Sequence, residues 1–201
     1  MFQPTFSTSP AYSPHNRREN ISPAPTANIV LHNERVSLAI IIPSLLPGGH
    51  DVRIMGGLSG HITARDDAIF AVVQQMVAWI EHNLDERLSV EKISQKSGYS
   101  VWHFQRKFVQ FTGLNVYEYV RIRRVISAAF ALTRTRKKIL EIAVENGFSC
   151  QTAFTRTLRK MTRLTPGQMR RQFTGHDQGL IHFIGALLHP ANNREESASF
   201  L

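Results

Sequence analysis

Apolar residues recur at helical spacing through the middle of the chain, and they predict a series of amphipathic helices. The first covers residues 66–83, where apolar side chains return every three or four positions. The longest pattern, over 116–132, predicts a helix that connects two parts of one domain. The apolar face of the first helix consists of Ile69, Val72, Val73, Met76, Trp79 and Ile80.

A short segment near the middle of the chain has the features of two helices joined by a tight turn. Gly98 suits the position just past a helix end, because glycine adopts positive φ without strain. Ser100 suits the N-cap of the helix that follows. Phe104, Phe108 and Phe111 recur at helical spacing, so we expect this second helix to pack through them.

The opposite face of that helix carries a different set of side chains. Trp102, Gln105, Arg106 and Val109 share it. Glutamine and arginine pair bidentately with adenine and guanine edges in the DNA major groove, so the face fits the recognition helix of a helix-turn-helix. Solvated faces of ordinary helical proteins have similar compositions, and this segment alone leaves both interpretations open.

The pattern occurs twice, which favours the helix-turn-helix. Residues 93–100 are echoed by 142–149, with glycine at the same place in the turn. An internal repeat of this kind indicates a duplicated structural unit. The outward face predicted for the second recognition helix consists of Gln151, Thr152, Thr155, Arg156 and Arg159.

The helical pattern predicts an all-α fold of about seven helices. A DNA-binding domain over 66–173 would contain two helix-turn-helix units, 66–113 and 139–173, joined by a linker helix over 116–132.

The two ends of the chain fall outside this pattern. Residues 1–60 form an arm that we expect to be mostly disordered or weakly structured, because its first half is rich in Ser, Pro, Thr and Asn. Within the arm, residues 29–54 suit either one or two strands or a partner-binding segment. We expect DNA affinity to survive deletion of the arm. Residues 174–201 form a tail whose apolar stretch 180–188 can pack back on the domain.

The charge distribution is consistent with a polyanionic partner. The formal net charge is +9, and residues 101–175 hold fifteen Lys and Arg side chains against three Glu. Such a field attracts DNA, but RNA or an anionic membrane would respond to it as well. The candidate phosphate contacts are Arg121, Arg124, Lys137, Lys138, Arg159 and Lys160.

Enzyme chemistry finds little support in the sequence. His103 and Cys150 lie on separate repeat units, and the tail histidines match no short zinc pattern. Cys150 is the single cysteine, which fits a turn residue in a reducing compartment. We therefore expect no enzymatic activity, no cofactor and no metal. Without a visible secretory signal or membrane span, we expect a cytoplasmic, nucleoid-associated protein.

Several motifs taken together resemble the AraC/XylS family of bacterial transcription factors, and especially its short MarA–SoxS–Rob branch. The likeness covers about 66–173, and one difference is Thr152, where close relatives often have a second glutamine. The motifs that carry it are Trp79–Leu84, Leu88–Lys92, Ser97–Arg106, Tyr119–Arg124, Gly147–Phe148 and Thr155–Thr157.

The resemblance implies a seven-helix domain that binds double-stranded DNA as a monomer, with both recognition helices in successive major-groove segments. It implies base or backbone contacts by Trp102, Gln105 and Arg106 in the first helix and by counterparts in the second, namely Gln151, Thr152, Thr155 and Arg156. Members of the branch activate stress and multidrug-resistance genes by recruiting RNA polymerase. Trp79 and Glu81 lie where such a contact would form, although Trp79 fits the core better.

The chain has no room for the effector domain of longer family members, so its cellular amount is expected to set its activity. A non-specific nucleoid or RNA-binding protein is the alternative, and it differs by lacking a preferred DNA site.

Overall fold

The computed structural model describes residues 24–32, 35–61 and 66–188. Within these ranges the chain forms three strands followed by eight helices. The predicted disorder of residues 1–23 and the end of the tail from 189 lie outside the described residues. The strands are β1 Thr26–His32, β2 Arg35–Ile42 and β3 Val52–His61, and the helices are α1 Asp67–Glu81, α2 Val90–Ser97, α3 Val101–Thr112, α4 Val116–Arg134, α5 Ile139–Glu145, α6 Gln151–Thr162, α7 Pro166–Phe173 and α8 Asp177–Leu188.

The first helix-turn-helix, α2 and α3, forms as its sequence predicts. Gly98 ends α2 at a φ of 76°, in the left-handed region. The Ser100 hydroxyl accepts a hydrogen bond from the backbone N–H of His103 and caps α3. Phe104, Phe108 and Phe111 are fully buried, which fixes the rotation of α3 and turns its polar face outward.

The second unit, α5 and α6, repeats this construction. Gly147 lies in the turn at a φ of 73°, and a Cβ there would come within 2.5 Å of the Leu84 carbonyl oxygen. Only glycine fits this position, because both the backbone conformation and the space exclude a side chain. The buried Phe154 and Leu158 orient α6 in the way that the phenylalanines orient α3.

Helix α4 lies between the two units and supplies much of their common core. Its buried residues include Val116, Tyr119, Val120, Ile126 and Phe130. The helix lies next to α3, α5, α6, α7 and α8, so both helix-turn-helix units pack against the same helix.

The prediction of an all-α chain was wrong for the N-terminal segment. The strands β1, β2 and β3 form an antiparallel sheet in that order, with an irregular register between Val36 and Leu38. Leu38, Ile40 and Ile42 are buried in the same core as Ile69 and Phe70 of α1. The sheet therefore completes the hydrophobic core and is part of the fold.

The C-terminal end adds an eighth helix to the seven that were predicted. The apolar stretch 180–188 packs back on the domain as expected, through the buried Leu180 and Ile184 of α8. Arg134 at the end of α4 joins this helix to the residue that follows β2. Its guanidinium donates to an Asp177 carboxylate oxygen at 2.7 Å and to the Pro43 carbonyl oxygen at 3.3 Å.

Candidate nucleic-acid interface

The outward face of α3 presents a large aromatic ring to solvent. Trp102 is 68% exposed, and the Arg106 guanidinium carbon lies 5.4 Å from the centre of its ring. Val101 and Val109 are exposed beside them, and together with Gln105 these residues line one open groove. The exposed Trp102 ring, with Arg106 against it and two exposed valines beside it, forms an apolar and cationic patch that suits a binding face.

The outward face of α6 is polar and strongly basic. Gln151, Thr152 and Arg156 are exposed, Thr155 is half-buried, and all four line a single groove. Arg159, Lys160 and Arg163 line the same groove. The structure thus brings together the predicted residues of the second recognition helix and adds Arg163, which ends α6 at a φ of 62°.

Cys150 caps helix α6. Its Sγ accepts a hydrogen bond from the backbone N–H of Ala153 at 3.4 Å, and the side chain is exposed. That hydrogen bond, with a smaller effect from Arg156, lowers the pKa of the Cys150 thiol. Cys150, which the sequence places in the turn at the start of the second recognition helix, is therefore the N-cap of that helix.

Arg124 joins the two helix-turn-helix units. Its Nε donates to the Leu84 carbonyl oxygen at 2.8 Å, and its Nη1 donates to the Gly147 carbonyl oxygen at 3.0 Å. Its Nη2 donates to the Glu86 carbonyl oxygen, and burial lowers the pKa of Arg124. We therefore assign Arg124 to holding the units together and no longer to the phosphate contacts.

The other candidate phosphate contacts differ in their surroundings. Lys138, Arg159 and Lys160 are exposed. The Lys137 ammonium pairs with a Glu145 carboxylate oxygen at 2.7 Å on the surface. Arg121 is half-buried, with its guanidinium carbon 5.6 Å from the centre of the Tyr117 ring.

A buried ion pair ties α1, α4 and the sheet together. Arg123 donates through Nε and Nη2 to the two carboxylate oxygens of Glu81, at 2.9 and 2.8 Å. The Tyr119 hydroxyl and the Ala27 backbone N–H donate to the same carboxylate, each at 2.9 Å. Arg123 Nη2 also donates to the Pro25 carbonyl oxygen at 3.0 Å.

This cluster corrects one expectation from the sequence. The Glu81 side chain is 5% exposed, so it is not available for a polymerase contact. Its partner Arg123 is fully buried. Burial, the largest single effect, lowers the pKa of Arg123, but the charges and hydrogen bonds of Glu81 and Tyr119 together raise it above its ordinary value. Burial raises the pKa of Tyr119 well above its ordinary value, and the Glu81 charge adds to the effect.

Trp79 is half-buried and packs against the core. Its ring also meets two cations, because the ammonium groups of Lys92 and Lys96 lie 5.6 and 5.2 Å from its centre. This is a basic, partly aromatic surface on the first unit, formed by α1 and α2.

The part of the chain that the structure describes holds neither a metal-binding cluster nor a membrane-spanning helix. Among residues 24–32, 35–61 and 66–188, no group of three or more His, Cys, Asp and Glu is arranged to hold a metal ion. The helices of the same ranges include none long and apolar enough to cross a membrane.

The chain is similar to known helix-turn-helix proteins over its helical part. A family described as a helix-turn-helix domain matches residues 93–172. The TetD protein of transposon Tn10 from Escherichia coli is 42% identical over 108 residues, which cover 53% of this chain and 78% of TetD. The HTH-type transcriptional activator AarP of Providencia stuartii is 34% identical over 111 residues, covering 55% of this chain and 82% of AarP.

One solved structure supports the fold. The DNA-binding domain of the global transcriptional factor AdpA, solved in complex with a target DNA, matches with a TM-score of 0.50. It is 24% identical and covers 53% of this chain and 96% of that domain. At this identity the likeness concerns the arrangement of the helices alone.

Proposed function

Since the chain belongs to the AraC/XylS family of transcriptional regulators and carries its DNA-binding helix-turn-helix domain, we propose that it binds a specific DNA site as a monomer and activates transcription. The two recognition helices would enter successive major-groove segments on one face of the duplex. The proposed base-reading or backbone-contacting residues are Trp102, Gln105, Arg106, Gln151, Thr152, Thr155 and Arg156.

The observation that carries the proposal is the presence of two outward recognition faces on one rigid chain. Each face combines glutamine with arginine, and each is oriented by buried aromatic or aliphatic residues on the opposite side of its helix. Helix α4 and the Arg124 hydrogen bonds hold the faces in a fixed relation. A protein built in this way needs no second copy to contact two half-sites.

Affinity would come largely from phosphate contacts. The exposed Lys138, Arg159 and Lys160 suit this role because their charges are free to approach the duplex backbone. Each such contact makes binding more salt-dependent without adding sequence preference.

Activation through RNA polymerase is the finer part of the proposal. The relative AarP is named a transcriptional activator, and the likeness to the MarA–SoxS–Rob branch suggests stress and drug-resistance promoters. The Trp79, Lys92 and Lys96 surface is the candidate polymerase contact, in place of Glu81, and a Lys92→Ala/Lys96→Ala variant tests it. We expect that variant to bind the promoter normally and to lose activation in a purified transcription assay.

Selection of bound duplexes from a random library, at physiological salt, tests the DNA-binding proposal. We expect one asymmetric motif with two short blocks about one helical turn apart. Arg106→Ala should reduce the sequence preference in one block of the motif, and Arg156→Ala should reduce it in the other.

Arg53→Ala, an exposed arginine of the sheet, removes the same charge and should leave both blocks intact. Recovery of no motif, together with binding that disappears in moderate salt, would instead indicate a non-specific nucleic-acid-binding protein.

A further inference from the structure

A cleft lies between the two helix-turn-helix units. Its walls come from the segment before α2 and the start of that helix, the first half of α4, the end of α5, the turn after it, and α6. It encloses about 640 Å³, which is within the range of small-molecule sites. Apolar side chains form much of the lining, among them Val90, Ile93, Val120 and Phe148.

The charged residues that line this cleft are mostly arginines. Arg87, Arg121, Arg124 and Arg156 face a single acid, Asp85. The guanidinium of Arg124 is already bonded to backbone carbonyls, as described above. The Nε of Arg121 is different, because it is buried and has no hydrogen-bond partner among the described residues.

A buried donor without an acceptor is costly, so such groups are uncommon in folded proteins. Because Arg121 lines the cleft, a rotation of its side chain would present this Nε–H to an anionic oxygen there, which would accept a charge-assisted hydrogen bond. The body of the same ligand would displace water from the apolar lining, and the rings of Tyr117 and Phe148 favour an aromatic body.

We propose that this inter-unit cleft binds a small amphipathic organic anion, namely a carboxylate carried on an apolar, aromatic body. The carboxylate accepts from Arg121, and the body packs on Val90, Val120 and Phe148.

The site has a regulatory consequence, which rests on the proposed function. Arg156 lines both the cleft and the outward groove of α6. A bound anion attracts the Arg156 guanidinium into the cleft and lowers its availability for DNA. Ligand and duplex are therefore competitors, and the cellular amount of the protein is not the only control on its activity.

Titration of the ¹⁵N-labelled full chain with 2-naphthoate tests the site. We expect the Arg121 Nε–H signal and the backbone signals of Val90 and Phe148 to shift and to saturate together. The uncharged isostere 2-naphthamide should bind at least about tenfold more weakly, because it offers no charged acceptor to Arg121.

A pair of variants on α5 separates the cleft from general association. Val144 lines the cleft and is 56% exposed, so Val144→Trp narrows the cleft with little cost to the fold. Leu140 is 51% exposed on the same helix, outside the lining, and Leu140→Trp is the matched control. We expect Val144→Trp to weaken 2-naphthoate binding at least about tenfold and Leu140→Trp to leave it unchanged.

Two results would overturn the proposal: no shift of the Arg121 Nε–H signal with 2-naphthoate, or equal binding of 2-naphthoate by both tryptophan variants. An Arg121 Nε–H signal that shifts with DNA and not with 2-naphthoate would make Arg121 a phosphate contact instead. Competition is measured separately, as the Kd for the selected duplex with and without 2-naphthoate, and an unchanged Kd would overturn the regulatory consequence. Anion binding by a chain that selects no DNA motif would count against the proposed function and support the cleft.

Discussion

At the scale of single residues, substitution of Arg106 is the most direct test of whether α3 contacts DNA bases. Its guanidinium lies against the Trp102 ring, which limits the orientations it can adopt. We expect Arg106→Ala to weaken binding to the selected site by roughly 1–3 kcal/mol and to weaken binding to random DNA much less. Titrations on selected and scrambled duplexes at two salt concentrations measure both effects.

Lys160 is the matched control, because it is exposed on the basic face of α6 and is proposed to contact phosphate. Lys160→Ala should weaken binding to all duplexes almost equally and reduce the salt slope by about one. Lys137 is a poorer choice for this control, since its ammonium pairs with Glu145. An equal loss on both duplexes for Arg106→Ala would show that Arg106 contacts the backbone only.

The reactivity of the Cys150 thiol measures whether the N-terminus of α6 is capped and whether bound DNA covers it. Because the backbone hydrogen bond lowers its thiol pKa, the reactive thiolate should be present at a lower pH than in an unperturbed cysteine, whose pKa is about 8.5. Alkylation by iodoacetamide should therefore reach half its maximal rate below that pH, and the selected duplex should slow it. With one cysteine in the chain, mass spectrometry gives the rate directly.

Two outcomes would contradict this picture of Cys150. An alkylation midpoint at the ordinary thiol value would mean that the hydrogen bond to Sγ does not persist in solution. An alkylation rate that is unaffected by bound DNA would place α6 outside the interface. Cys150→Ser preserves a capping oxygen and should bind DNA normally.

At the scale of secondary-structure elements, the Glu81–Arg123 pair holds α1 and α4 together with β1. Glu81→Gln keeps the shape of the side chain and leaves the Arg123 charge buried without its counter-ion. We expect a loss of about 3–5 kcal/mol in the free energy of unfolding, measured in urea. Glu86→Gln breaks the exposed pair with Lys92, whose side chains are 49% and 48% exposed, and should cost less than about 1 kcal/mol.

A Glu81→Gln protein with the stability of Glu86→Gln would mean that the cluster is solvated in solution. Equal losses of unfolding free energy for Glu81→Gln and a double Glu81→Gln/Arg123→Met variant would also count against a buried, charged cluster. The second replacement removes the buried charge and should restore part of the lost stability.

The elements differ in how far the sequence could predict them. Ser89, Gly98 and Ser100 act through neighbours within four positions, so the boundaries of α2 and α3 follow from local chemistry. The burial of Arg123 depends on Glu81, forty-two positions away. The helical spacing alone predicts that Arg123 faces inward, because it follows the inward Tyr119 by four residues. Its charge, however, favours an exposed position.

The outward faces of α3 and α6 were predictable because helical spacing places them opposite the buried residues of each helix. Cys150 was not recognised as a cap, since cysteine is rarely chosen for one. The sheet was the least predictable part, because strands of this kind are stable only when they pair and pack against distant segments. The apolar run that forms β2 indicated a strand or a docking segment. Its burial in the common core, next to α3, decides between them.

At the scale of the whole molecule, the sheet makes the DNA-binding domain depend on the N-terminal segment. Strand β1 lies next to α1, and β2 and β3 lie next to α3, the first recognition helix. Deletion of residues 1–61 would remove the buried Leu38, Ile40 and Ile42, each worth about 1.5–3 kcal/mol. It would also remove the Ala27 and Pro25 partners of the Glu81–Arg123 pair.

We therefore expect this deletion to lower the Tm by more than about 5 °C and to weaken DNA binding through a less rigid α3. Deletion of residues 1–23 retains all three strands and is the matched control. Calorimetry and duplex titration on both truncated proteins measure the two effects. If both deletions leave Tm and affinity at the full-length values, the strands do not share the core in solution. The arm would then be as dispensable as its composition alone indicated, and α1 and α3 would support the first recognition face without it.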